Sequence, residues 1–356
     1  MKEKALIAMS GGVDSSVAAL IMKEKGYDCI GATMKLFEYD DICTSEKTCC
    51  SLSDVEDARS VANKLDMQYF VFNYKSKFKE EVIDRFVNAY EKGCTPNPCI
   101  DCNRYLKFDK LFVRAKELDY DYIVTGHYVR VEYDQNSNRY LLKKAVDDKK
   151  DQSYVLYFMT QEQLKHAKFP LGELTKPEVR KIAEENGFIN SNKHDSQDIC
   201  FVPDGDYSGF IEKSTGKKYP PGDFVDINGE VLGKHKGIIS YTIGQRKGLG
   251  LSLKAPLYVY SKNVKENKVI LCEDKDLFST SLTANNINLI AVDKLEGPVR
   301  LKAKIRYSQK EQWAIVNQID EDTLKVEFES PQRAITKGQA VVLYDGNVVV
   351  GGGTII

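Results

Sequence analysis

Between Ser10 and Ser16 the chain reads Ser-Gly-Gly-Val-Asp-Ser-Ser, a combination of residue types suited to holding phosphate. Glycines let backbone N–H groups approach an anion closely, and serine hydroxyls add donors. A helix start adds its unpaired N–H groups and positive dipole end. The flanks supply that geometry: Lys4 to Met9 (KALIAM) is an apolar strand-type run, and Val17, Ala18, Leu20 and Ile21 give a following helix its apolar stripe. No Gly-Lys-Ser/Thr follows the glycines, so this is not the lysine-bearing P-loop. Asp14 stands there instead. A carboxylate in that position suits orienting the helix start or a Mg²⁺ ion, with the bound group leaving as pyrophosphate. The stretch implies nucleotide activation and does not say what is activated.

A second chemistry lies in the thiols. Cys94-Thr95-Pro96-Asn97-Pro98-Cys99-Ile100-Asp101-Cys102-Asn103 is a proline-stiffened loop opening into a helix, where a helix start favours the thiolate of Cys102. About a hundred residues on, His194-Asp195-Ser196-Gln197-Asp198-Ile199-Cys200-Phe201 places Cys200 in a polar run ahead of apolar Phe201 and Val202. The nine cysteines (29, 43, 49, 50, 94, 99, 102, 200, 272) are an odd set behind no export-type leader. That argues for metal, cluster or reactive thiol before a structural disulfide framework. Cys29 and Cys272 fall within strand patterns and read as packing residues. Cys43, Cys49 and Cys50 read as a thiol-rich loop, because vicinal cysteines rarely share one tetrahedral ion. Cys94 carries no assignment.

These residues need a scaffold. Strand-like runs at Tyr27 to Phe37, Gln68 to Tyr74 and Tyr120 to Thr125 alternate with helical ones at Asp54 to Asp66, around Phe78, Val82, Phe86 and Tyr90, and at Asn103 to Leu118. That alternation predicts an α/β fold with a doubly wound parallel sheet, whose ligands sit at the carboxyl ends of strands, near Ser10, Met34 and Gly126. Val129 to Val146 reads as a hairpin, Gln161 to Gly187 as two helices, and Asp206 to Lys213 as a short helix. From about Tyr219 the texture becomes short β runs punctuated by glycine, including Ile238 to Ile243, and suggests small antiparallel sheets or barrels. The expected domains are 1–210 (nucleotide-binding), 211–280 (a small β-rich central domain) and 281–356 (a C-terminal β-barrel).

Composition narrows the class. At 356 residues with 42% hydrophobic and 29% charged residues, the chain reads as a soluble multidomain protein. No apolar run approaches the ~20 residues of a membrane span. A cytoplasmic, membrane-free monomer is expected. Net charge is −1, so any nucleic-acid surface must be local. One candidate is Val299 to Tyr307 (VRLKAKIRY), where strand periodicity puts Arg300, Lys302, Lys304 and Arg306 on one face, with Tyr307 available for stacking. Lys143, Lys144, Lys149 and Lys150 are diluted by acids, and Lys234, His235, Lys236, Arg246 and Lys247 form a third basic patch. His127 and Asp198 are second-rank candidates, as a pocket residue and a thiol-tuning carboxylate.

The Ser10 to Ser15 stretch resembles the PP-loop (S-G-G-x-D-S) of the ATP pyrophosphatase superfamily. Further motifs are N-P-x-x-x-C-N at Asn97 to Asn103, T-G-H-Y at Thr125 to Tyr128, K-D-Q-S-Y at Lys150 to Tyr154, S-Q-D-I-C-F at Ser196 to Phe201 and Y-T-I-G-Q-R-K-G-L-G at Tyr241 to Gly250. Together they resemble the bacterial tRNA-specific 2-thiouridylase family over nearly the whole chain. The resemblance implies a nucleotide-alpha-hydrolase-like N-terminal fold, and a reaction in which the C2 oxygen of a wobble uridine in the tRNA anticodon loop is adenylated. Sulfur from a cysteine persulfide then displaces AMP. Cys102 would be the nucleophile and Cys200 the persulfide carrier, the two ending as a disulfide. ATP contacts map onto Ala8, Met9, Ser10, Gly11, Gly12, Val13, Asp14, Ser15, Met34 and Gly126. tRNA contacts map onto Asn97, Pro98, Cys99, Lys150, Asp151, Gln152, Arg306 and Tyr307, and a persulfide-carrying donor protein is implied. Cys99 departs from the family, which often has aspartate there. The resulting Cys99-x-x-Cys102 pair, with Cys200, could ligate a [4Fe–4S] cluster, or the pair could be a redox or zinc site.

Overall fold

A computed structural model describes residues 2–37, 52–193, 199–252 and 255–356. Strands β1 (Lys4–Ala8), β2 (Asp28–Lys35), β3 (Gln68–Asn73), β4 (Tyr122–Val124) and β7 (Ala167–Lys168) form a parallel sheet in the order β3-β2-β1-β4-β7. Alternation along β1 feeds two cores. Ala5 and Ile7 join Val17, Ala18, Val61 and Ala62 on one face, while Leu6 joins Phe78, Phe86, Leu106 and Leu111 on the other. The helix pattern anticipated around Phe78 spans Lys75–Phe78, a π-helical turn Lys79–Ile83, and Asp84–Glu91. All four of Phe78, Val82, Phe86 and Tyr90 are buried. Each such side chain contributes about 1.5–3 kcal/mol of burial, in the same core cluster as Leu6 of β1. The next helix, expected over Asn103 to Leu118, is π-helical over Cys102–Leu111 and α-helical over Phe112–Glu117.

The hairpin of β5 (Val129–Asp134) and β6 (Arg139–Lys144) leaves this sheet for another. Downstream, β8 (Gly222–Asp226), β9 (Val231–His235), β10 (Tyr258–Asn263) and β11 (Lys268–Cys272) form a four-stranded sheet in the order β10-β11-β8-β9. Ile238 to Ile243 was expected to be a strand; Ile238–Ser240 is a 3₁₀ turn, entered through Gly237 at φ 132°.

The last sheet uses β12 (Phe278–Leu289), β13 (Val299–Lys304), β14 (Gln312–Gln318), β15 (Leu324–Arg333), β16 (Ala340–Asp345) and β17 (Val348–Ile355). Their order is β12-β15-β14-β13-β16-β17, and β12 pairs again with β17, closing a six-stranded antiparallel barrel. Closure leaves no free edge within the ring. The interior is Leu301, Ala303, Ile305, Ala314, Val316, Leu324, Val326 and Leu343, the inward alternates of successive strands. The β5–β6 hairpin is attached outside the ring through Lys143 and Val348. Among the described residues no helix is long and apolar enough to cross a membrane.

Candidate active site at the phosphate loop

The loop leaves the carboxyl end of β1 already fixed. Met9 N donates to Ala32 O at 2.8 Å, and Met9 O accepts from Thr33 Oγ1 at 2.6 Å. Ser15 Oγ then accepts from Ser10 N at 3.2 Å and donates to Gly12 O at 3.0 Å, folding the loop over the start of helix Val13–Glu24. Gly12 caps that helix with no side-chain hydrogen bond, so the cap position leaves the first-turn N–H groups to a ligand. Two glycines are required by space. Gly11 has φ 76°, and a Cβ there would lie 2.3 Å from Asp54 O. At Gly126, just beyond β4, a Cβ would lie 2.8 Å from Asp14 C and 2.9 Å from Ser15 N. Loop, β2 end and β4 end therefore converge, with Met34 buried beside them, as the parallel sheet predicts.

The cation missing from the loop arrives from elsewhere. Lys176 Nζ, on a residue 7% exposed, lies 2.7 and 2.8 Å from the two carboxylate oxygens of Asp14, and Tyr128 OH donates to Asp14 Oδ1 at 2.7 Å. Asp14 thus positions a lysine and does not stand open as the Mg²⁺ ligand expected of it. His127 is buried, with Nδ1 2.7 Å from Thr125 Oγ1. Burial, with Lys107 adding, holds its pKa well below the ordinary value, so it is a neutral structural partner.

Asn97 caps the next helix by accepting from Cys99 N at 3.1 Å, and Pro98 fills the first helical position. This exposes Cys99 and leaves Cys102 half-buried. Between them, burial raises the Asp101 carboxyl to about 6 despite Arg85 and Arg104 nearby. Cys102 and Cys200 both pack against the same core. Beside Cys200, the Phe201 ring centroid lies 5.7 Å from Phe78 and 5.3 Å from Phe86. Among the described residues no three Cys, His, Asp or Glu side chains gather as metal donors. Nothing among the described residues supports the iron–sulfur cluster expected of Cys99, Cys102 and Cys200. Cys43, Cys49, Cys50 and the stretch 194–198, with Asp198, lie outside the described residues. Cys29 and Cys272 are buried, and burial lifts both thiols to about 11, as suits packing residues.

The barrel grips the thiol loop directly. Thr95 N donates to Lys337 O at 2.9 Å, and Gln339 Nε2 donates to Thr95 O at 2.6 Å. On the same side, Tyr307 OH donates to Asp151 O at 3.2 Å, and Tyr307 is raised by burial, then by Asp151 and Cys99. Cys99, Asp151 and Tyr307 thus come together from three distant segments. Side chains in this group also have internal work. Asp151 accepts from Ala145 N and Ser153 Oγ, and Gln152 exchanges bonds with the Tyr128 backbone. Arg306 donates to Ala334 O and Thr336 Oγ1. Lys150 is half-buried.

The cation ladder on β13 is present but not acid-free. Arg300 makes a two-point pair with Glu329 and stacks at 4.0 Å on Trp313, with Lys302 5.3 Å from the same ring. Lys304 lies over Tyr154 and Tyr307. His235 leaves the third basic patch: it is buried, bonded to Asn267 O, and lowered by burial.

Residues 3–204 match the tRNA methyl transferase HUP domain, 208–273 the tRNA methyl transferase PRC-barrel domain, and 279–355 the Aminomethyltransferase beta-barrel domain. The chain is 53% identical over 355 residues to the tRNA-specific 2-thiouridylase MnmA of Clostridioides difficile, covering 100% of this chain and 98% of the relative. The chain belongs to the tRNA-specific 2-thiouridylase family. Another 2-thiouridylase, from Acetivibrio thermocellus, is 53% identical over 356 residues, covering 99% of both chains. Among solved structures, a 4-thiouridine synthetase–RNA complex with bound ATP aligns at TM-score 0.37 and 17% identity, over 60% of this chain and 50% of that one. Within this 2-thiouridylase, sequence reasoning missed Lys176, Asn190 and Lys193 at the phosphate loop. Each reaches it from more than 130 residues away, and no local pattern signals them.

Proposed function

We propose that this chain is an ATP-dependent tRNA 2-thiouridylase. The uridine C2 oxygen is a poor leaving group; adenylation converts it to one, with pyrophosphate released, and sulfur then displaces AMP. The phosphate loop holds the nucleotide, and Lys176 and the helix start supply positive charge where pyrophosphate departs. Cys200 carries the persulfide and Cys102 is the second thiol, so that a disulfide between them closes the turnover. The Mg²⁺ expected with ATP finds no open carboxylate at Asp14, so no step is routed through it.

The observation that carries this reading is one core holding both thiols, Cys102 and Cys200, on the sheet whose strand ends build the phosphate loop. Ordinary amide-forming users of such a loop need no cysteine. The RNA lies along Cys99, Lys150, Tyr307 and the β13 cations, where an anticodon loop can present an unstacked base at small cost. We assign the three segments 1–210, 211–280 and 281–356 to nucleotide, linking and RNA-binding roles, and the reaction to a cytoplasmic monomer served by a persulfide donor protein. The test is mass analysis of tRNA nucleosides after incubation with ATP, Mg²⁺ and a persulfide donor. Appearance of 2-thiouridine, lost in Cys102→Ser and in Cys200→Ser, is expected; its absence with the native chain overturns the reading.

A further inference from the structure

One peptide of the phosphate loop has a glycine on either side. Gly11 sits at φ 76° and Gly12 at φ −89°, and glycine accepts either sign of φ. The Gly11–Gly12 peptide can therefore turn over at little conformational cost, exchanging the places of its C=O and N–H. One orientation offers an anion a donor; the other offers an acceptor that repels it. Gly12 O does not decide between them, since Ser15 Oγ, Ser16 Oγ and Ser16 N hold only the next peptide.

The bonds on Gly11 O come from far along the chain. Asn190 is 2% exposed; its Nδ2 donates to Gly11 O at 3.0 Å and to Ser16 Oγ at 2.9 Å. Ser16 Oγ gives its own proton to Gly12 O at 3.1 Å and so accepts from Asn190, which fixes the amide with its nitrogen toward the loop. The Asn190 Oδ1 is left buried without a hydrogen-bond partner. An apolar side chain of similar size would fill the space without that unpaired acceptor, so the amide is explained by the donor it supplies. Lys193 Nζ reaches the same Gly11 carbonyl at 3.4 Å and is fixed by Asp54 Oδ1 at 2.6 Å and Asp57 Oδ2 at 2.7 Å. Arg180, on helix Lys176–Glu185, donates to Ser191 O at 3.1 Å and Lys193 O at 3.2 Å and so holds the backbone that carries both side chains.

In a trans peptide the C=O and N–H point in opposite directions. Asn190 is buried beneath the loop, so holding Gly11 O there turns the Gly12 N–H to the outer side, where Gly12 is partly exposed. We propose that Asn190, backed by Lys193, is the positioning residue that sets the polarity of the phosphate loop, locking the Gly11–Gly12 peptide with its N–H toward the nucleotide phosphates. This rests on the reading of Ser10 to Ser16 as the nucleotide loop, and it needs neither tRNA nor the thiols.

The experiment uses the full chain with inorganic pyrophosphate, ATP and adenosine as probes, each read by calorimetry. Asn190→Leu keeps the bulk of the side chain and removes both the donor and the unpaired acceptor. Urea stability is retained, while pyrophosphate and ATP bind about tenfold more weakly and adenosine binds as before. Lys193→Met does the same in smaller measure and Lys193→Arg restores affinity; this pair carries the test if Asn190→Leu fails to fold. The peptide itself is observed by NMR after labelling glycine with ¹³C at the carbonyl and ¹⁵N at the amide, which selects the Gly-Gly peptides 11–12, 351–352 and 352–353. In the native chain pyrophosphate moves the Gly12 signal and leaves the other two; in Asn190→Leu the Gly12 response is lost. The proposal is overturned if Asn190→Leu binds pyrophosphate as tightly as the native chain, or if its affinity for adenosine falls in equal proportion. It is also overturned if pyrophosphate leaves the native Gly12 signal unmoved, or if the Gly12 response persists in the variant. None of these readouts needs turnover, so a missing 2-thiouridine product counts against the function and leaves them standing.

Discussion

Lys176 Nζ sits within 2.8 Å of both carboxylate oxygens of Asp14 across a separation of 162 residues. The helix start that faces phosphate is thereby tied to the helix Lys176–Glu185, and the aspartate of the loop delivers a cation. Lys176→Met leaves a partly buried carboxylate with Tyr128 OH but no cation and is expected to cost about 2 kcal/mol or more. Asp14→Asn removes the carboxylate charge facing the lysine instead. The double variant should cost less than the two single losses added together, as residues in contact do not act independently. Urea melts of the three variants measure this, and calorimetry should show ATP affinity reduced in all of them.

Gly126 is held to its size by the backbone of Asp14 and Ser15. Gly126→Ala must displace the helix start, because its methyl would lie under 3 Å from two backbone atoms. ATP binding should be lost or weakened at least a hundredfold, about 2.7 kcal/mol, while far-UV circular dichroism stays native. Normal ATP affinity in this variant would show that the nucleotide does not use this corner.

Asp101 carries a pH dependence whose sign is fixed. Burial raises its carboxyl from 3.8 to about 6, so the folded chain binds its proton more tightly than the unfolded chain does. The resulting stabilisation of the protonated form is present below pH 4 and is lost as pH rises through about 6. Asp101→Asn should therefore be more stable than the native chain at pH 7.5, by about 3 kcal/mol, and no more stable at pH 3.5. Thermal melts across that range are the measurement.

Arg306→Ala should weaken tRNA binding and lower the slope of log affinity against log salt by about one, leaving ATP binding intact. Because Arg306 also donates to Ala334 O and Thr336 Oγ1, a loss of about 1 kcal/mol in stability accompanies it. The chain's only tryptophan, Trp313, is 40% exposed against Arg300 and Lys302. Its fluorescence should change on adding tRNA, and an unchanged spectrum at saturating tRNA would remove the β13–β14 face from the interface.

The parallel sheet was legible because KALIAM and QYFVFNY are short strand-type runs between helical patterns, although β3, at the sheet edge, is largely exposed while β1 is buried. Strand β12 escaped because FSTSLTANNINL is rich in serine, threonine and asparagine; its pairing with β15 and β17 decides its state, and its own composition does not. Two-residue β7 has too few positions to show a period. At the site, the glycines and serines of the loop were visible because they act through neighbours in sequence. Lys176, Asn190 and Lys193 were not, since a lysine or asparagine in a helix or turn looks the same whether or not a loop 130 residues distant waits for it.

The β5–β6 hairpin belongs by sequence to the nucleotide-binding half, yet it is stitched to the barrel. Lys143 pairs with Val348, and Arg139 donates to Ile290 O at 2.8 Å and meets Asp293. Cutting the gene near residue 280 would therefore strip a strand of its neighbour and present raw β edge to solvent. The product should clump, and the ATPase-type half of such an enzyme is better dissected by point changes than by scissors.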